Sequence, residues 1–127
     1  MLSAAPVSSD ANPPAFILSG RCTYPASLGP AQVAEIRILC DSVAVRSDGA
    51  DTVIAFSRKF SERWIRFSGE MSGPRMTVRR VHPSWDRSAP ARGACTIFHK
   101  DDRVSAVSCV AQAGGRSFVA NLLPPPF

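Results

Sequence analysis

The chain is poor in histidine and lysine and holds no long apolar run, and each shortage excludes something. Two histidines, His82 and His99, stand in no ligand spacing, and the four cysteines form no CxxC. A tetrahedral Cys/His zinc site therefore has no sequence to build it. No cofactor is expected either, because the chain carries no P-loop, no dinucleotide fingerprint and no metal-ligand set. No stretch approaches the ~18 consecutive apolar residues of a spanning helix, so no membrane span is expected. No block of five or more like charges occurs, which excludes a basic tail. The aromatic-glycine pattern of RNA-binding sheets is missing as well, which disfavours nucleic acid as a partner.

What is present fits one small exported domain. With 127 residues, 45% of them hydrophobic, a single domain buries roughly two thirds of its unfolded surface, enough for a real core. The net charge is +5, and thirteen of the fifteen basic residues are arginine. Such a balance attracts acidic partners. Cys22, Cys40, Cys95 and Cys109 form an even set, best read as two disulfides. Of the three connectivities, the local pairing Cys22 with Cys40 and Cys95 with Cys109 is expected, because each loop is short. Closing a loop of about 15 residues contributes about 3 kcal/mol in the chain-entropy model. Oxidised cysteines imply a periplasmic or secreted protein. Residues 1–5, small and apolar ahead of a polar, proline-bearing start, read as the remnant of a signal peptide.

The organisation along the chain is β. Residues 1–14 are mostly Ala, Ser, Pro, Asp and Asn and are expected to be disordered. The domain spans 15–123. A first strand is expected over 16–24, with Gly20 as a bulge, and Gly29-Pro30 marks a turn that leads into one helical turn. One long strand bulged near Asp41 is expected over 35–46. Asp48-Gly49 is the best hairpin dipeptide and returns the chain through 51–56. Strands follow over 64–68 and 75–81, divided by Gly73-Pro74. The stretch 82–93, HPSWDRSAPARG, has two prolines and no apolar period, so it is read as a long loop. Gly114-Gly115 leads to a last strand over 117–122, and residues 124–127 form a proline-rich tail. About eight antiparallel strands joined mostly by tight turns predict an all-β, disulfide-braced barrel or sandwich of mostly up-and-down order.

Residues 93–111 carry the sharpest local expectation. Two β-branched and apolar runs flank the polar apex Lys100-Asp101-Asp102-Arg103, a strand-turn-strand pattern. If the turn centres on Asp102, His99 faces Ser105, Ile97 faces Val107 and Cys95 faces Cys109, all three pairs on one side. A two-residue turn would slip the register by one and part the cysteines. An odd-length loop is therefore expected.

Three features are candidates for function. His82 near Ser84 or Asp86 has the composition of a hydrolase cluster, but no GxSxG setting supports it, and a His-Pro pair at a strand end is commonly just a turn. The second is a Trp/Arg face. If Ile65 and Phe67 face the core, Trp64 and Arg66 point outward, and either Arg79 or Arg80 joins them. Trp and Arg are enriched at binding hot spots, although Arg stacked on an aromatic is also ordinary surface packing. The third is the 82–93 stretch with Trp85 and Arg87, where Trp85 either contacts a partner or folds back as a lid. In gross features the chain is similar to small exported bacterial β-barrels, including inhibitors of lysozymes and proteases, but it carries none of their motifs. The expected function is a non-enzymatic binding or inhibitor-like domain with a protein or glycan partner. An envelope-associated assembly domain is the alternative, and a hydrolase comes third.

Overall fold

A computed structural model describes residues 15–24, 35–58, 64–84 and 86–125. The expected disorder of 1–14, the turn and helical turn at Gly29-Pro30, Trp85 and the last two tail residues lie outside the described residues.

Among the described residues the architecture is a nearly closed, almost wholly antiparallel barrel of ten strands. The strands are β1 (Phe16–Ser19), β2 (Arg21–Cys22), β3 (Glu35–Arg37), β4 (Ser42–Asp48), β5 (Asp51–Ser57), β6 (Trp64–Ser72), β7 (Arg75–Ser84), β8 (Arg87–Lys100), β9 (Arg103–Ala113) and β10 (Arg116–Leu123). From β4 to β10 each strand pairs with the next, the expected up-and-down order. Tight turns make this possible. Gly49, Gly73 and the pair Gly114-Gly115 all take positive φ at two-residue connections, where a side chain is strained.

Alternation along these strands sends one face inward. Val43 and Val45, Ile54 and Phe56, Phe67, Val78 and Val81, Ile97 and Val107 are all buried in one continuous core. Phe56 and Phe67 meet edge to face, with ring centroids 5.8 Å apart, a geometry aromatic rings favour.

Two expected strands are divided. The 16–24 strand breaks at Gly20: β1 pairs antiparallel with β4, while β2 pairs antiparallel with β10. One stretch of chain thus crosses from one edge of the sheet to the other and closes the barrel. A Cβ at Gly20 would overlap the Leu123 carbonyl oxygen, so only glycine permits the crossing. The expected long strand over 35–46 is likewise two, because residues 38–41 leave the ladder. Its first part, β3, pairs parallel with β10, placing Ile36 beside Phe118, and its second part is β4. Tyr24 locks this seam. Its hydroxyl lies 2.6 Å from the Ile38 carbonyl oxygen and 3.0 Å from that of Val119, and the Arg37 guanidinium sits over its ring.

The long loop expected over 82–93 is instead strand, turn and strand, since β7 runs to Ser84 and β8 begins at Arg87. The prolines hid this, because they interrupt the period-two pattern. Pro83 falls within one register shift of the β7–β8 ladder and Pro90 beside another, positions where a missing N–H is tolerated.

Both disulfides form as paired above, Cys22–Cys40 and Cys95–Cys109, the kind of cross-link an oxidising environment maintains. Cys95 faces Cys109 and Ile97 faces Val107 inside the barrel. The turn, however, is not odd-length. Lys100 pairs with Arg103, and Asp101 and Asp102 form a two-residue turn with φ of 53° and 64°. His99 pairs with Val104, and Phe98 with Ala106, so Ser105 is an extra residue on β9. That bulge restores the register the short turn would have cost. The two features coexist because the bulge supplies the odd residue. Among the described residues no helix is long and apolar enough to cross a membrane, which says nothing of spans built from strands.

Candidate functional site

The outward faces of β4 to β7 form cross-strand rows. Arg46 stands opposite Val53, Val53 opposite Ser68, and Ser68 opposite Arg80. In the neighbouring row Ala44, Ala55, Arg66 and His82 follow one another in the same way. The first row has an arginine at each end and two small residues between them, and the second runs from two alanines to Arg66 and His82. Val53, Ala55 and Ser68 point away from the core, yet each is no more than 8% exposed.

The result is a cavity of about 190 Å³ lined by Arg46, Asp51, Val53, Arg66, Ser68, Arg80 and His82. Three guanidiniums face one carboxylate, so the lining is net positive. At its floor Ser68 Oγ lies 3.2 Å from His82 Nε2, a hydrogen bond whose direction follows the imidazole tautomer. Burial, and then the charges of Arg66 and Arg80, hold the His82 pKa below its ordinary value. The ring is therefore neutral at pH 7 and free to donate from one nitrogen.

A bulge builds one wall. Ser68 pairs with Arg80 and Gly69 with Val78, which leaves Arg79 as the extra residue on β7. Val78 and Val81 both point inward while Arg79 and Arg80 are both exposed. A Cβ on Gly69 would overlap the Thr77 carbonyl oxygen, so glycine is what lets the strands approach here. The two arginines then part: Arg80 lines the cavity and donates from Nη2 to Ser88 Oγ on β8 at 2.9 Å. Arg79 forms an exposed ion pair with Glu70 at 3.1 Å, which contributes little.

Of the residues singled out by sequence, the structure brings together Arg66, Arg80 and His82. Phe67 is buried and Ile65 packs on the core, so Trp64 and Arg66 share the outer face as reasoned. Trp64, 41% exposed, lines a separate depression with Ser19, Asp41, Ser42, Ser57 and Arg58. Arg87 borders another with Pro83, Asp86, Ser88 and Ala89. There Ser84 Oγ donates to Asp86 Oδ1 at 2.9 Å. His82 thus meets Ser68 and not Ser84, and its hydrogen-bonding neighbour was missed by sequence reasoning, as were Arg46 and Asp51. A two-residue turn at Gly49-Ala50 places Arg46 opposite Val53, which was the signal available. No family model matches the chain, and comparison with curated proteins and with solved structures likewise finds no match.

Proposed function

We infer that this is an exported binding domain, acting in the periplasm or outside the cell, whose arginine-lined outer face engages an anionic protein or glycan. The observation that carries this reading is the convergence of Arg46, Arg66 and Arg80 from three different strands on one half-enclosed cavity. Guanidiniums are weakly hydrated and present fixed forks of donors, so they favour oxyanionic groups over water more than ammonium groups do. A sheet face holds them in register without the entropy cost of ordering a loop.

The Ser68–His82 contact also has the outline of a hydrolase dyad. Its electrostatics point the other way. A general base must be stabilised when it takes the proton, and here two adjacent guanidiniums oppose that. Binding is the better reading.

The experiment is affinity capture from the native compartment at ~50 and ~300 mM salt, using wild-type protein and Arg80→Gln. One acidic partner captured at low salt, and lost in the variant, is the expected result. Equal capture by both proteins would remove the function from this face.

A further inference from the structure

We propose that the cavity seats one tetrahedral oxyanion, the sulfate or phosphate ester of a glycan, with the adjoining sugar ring laid against Trp64. This deepens the binding reading above and rests on it. Arg46 and Arg80 stand at opposite ends of one cross-strand row, three strand spacings or ~14 Å apart at the backbone. Both arginines line the cavity, Arg80 steadied from outside the row by its bond to Ser88, and between them Val53 and Ser68 are too small to fill the space. Arg66 and His82 close the cavity from the next row, and the Ser68 hydroxyl lies at its floor.

Donors from several directions around a small volume suit an anion whose terminal oxygens point several ways. A planar carboxylate is satisfied by one bidentate guanidinium, and the remaining cations would face one another across it. A sulfate or phosphate ester uses them, and its fourth oxygen leads out of the cavity to the carrier. Asp51 on the rim repels an anion placed at that edge and favours its seating toward Arg66, Arg80 and His82.

The carrier is argued from Trp64. Trp64 and Arg66 are alternate residues of β6 on the same face, ~7 Å apart along the strand. That is about the span of one sugar unit, and an exposed indole offers an apolar surface on which the C–H face of a pyranose stacks. Ala55 and Ser57, the β5 partners of Arg66 and Trp64, are small, and the indole borders its own depression beside the cavity, so the sugar would span from one to the other along this face.

Inorganic sulfate and inorganic phosphate are the first probes, with acetate at equal ionic strength as the planar control. Both tetrahedral anions are expected to raise Tm saturably and to shift the His82 ring resonances, and acetate to do neither. Arg80→Gln and Ser68→Ala are each expected to weaken sulfate at least tenfold, while Arg79→Gln, one residue away and outside the cavity, stays within twofold. A sulfated disaccharide should bind tighter than inorganic sulfate, with that gain lost in Trp64→Ala, and a phosphorylated disaccharide compared beside it identifies which ester is preferred. An equal response to acetate, a desulfated sugar that binds as well, or Arg79→Gln as damaging as Arg80→Gln would each overturn the proposal. If the oxyanions fail while an acidic protein still binds in an Arg80-dependent way, the oxyanion assignment falls and the binding reading survives. If no anionic partner responds to Arg80→Gln, both fall.

Discussion

The two disulfides close loops of nearly equal length, with sequence separations of 18 and 14, and they sit in very different places. Cys95–Cys109 crosses the middle of the β8–β9 hairpin, between long strands already paired on both sides, and both cysteines are fully buried. Cys22–Cys40 holds the seam, where β1, β2 and β3 have four, two and three residues. Chain entropy alone assigns both bridges about 3 kcal/mol. The native state distinguishes them: one braces a ladder that backbone hydrogen bonds and core packing also secure, and the other is the covalent hold on a closure made of short pieces. Stability is not uniform across a fold, and short strands open first.

The largest effect expected is from Cys95→Ala/Cys109→Ala, which removes the cross-link and leaves space in the core. A loss of about 3–5 kcal/mol, spread over the whole barrel in one cooperative urea transition, is expected. Cys22→Ala/Cys40→Ala should cost about 2–3 kcal/mol, but hydrogen exchange should accelerate mainly in β1, β2, β3 and the part of β10 they cover. If the two double variants lose protection at the same amides, the contrast between brace and seam is wrong. Mild reductant sharpens the same contrast. Mass spectrometry of alkylated protein should find Cys22 and Cys40 modified first, with Cys95 and Cys109 reacting only as the barrel unfolds.

A smaller effect is expected at Tyr24. Its pKa is raised from 10.0 to about 12, chiefly by burial. The unfolded chain therefore loses the phenolic proton first as pH rises, and stability should fall between pH 10 and about pH 12. Tyr24→Phe should cost about 1 kcal/mol at neutral pH, for one lost hydrogen bond. It should also flatten the alkaline decline measured by urea melts at pH 9, 10 and 11. An unchanged slope would remove Tyr24 from the seam's energetics. The smallest effect lies on the hairpin side. Asp102→Gly replaces a residue held at φ 64° by the residue that turn prefers, and a gain of a few tenths to about 1 kcal/mol is expected. A loss would mean that the Asp102 side chain contributes more than its backbone strain costs.

The same contrast explains what the residues made legible. Turns marked by Gly49, Gly73 and Gly114-Gly115 are local, and so was the placement of Cys95 and Ile97 on one inward face with Cys109 and Val107. The bulge at Ser105 carried no such mark, so the turn length and the His99–Ser105 pair were misread although Ile97–Val107 and Cys95–Cys109 were right. The seam was not legible because its partners are remote: Phe118 beside Ile36 and Leu122 beside Cys22 follow from closing the barrel, not from any nearby pattern. At the site, strand alternation placed Arg66 on the outer face and left Arg79 and Arg80 open, while His82 was singled out by its sequence neighbours Ser84 and Asp86. Arg46 and Ser68 needed registers carried across three ladders, one of them shifted at Gly69.

Gly20 has a consequence for how this barrel would fail. Because one crossing segment covers the border of β4 through β1 and the end of β10 through β2, with β3 holding the rest of β10, detaching it bares the β4 border and frays the β10 border in one event. A chain nicked or reduced there would present two sticky borders of opposite position on one sheet, each able to accept a strand from another molecule. Such a species can grow head to tail without limit, as heterologous contacts that do not close tend to do. The disulfide beside Gly20 is therefore a guard against polymerisation as much as a source of stability.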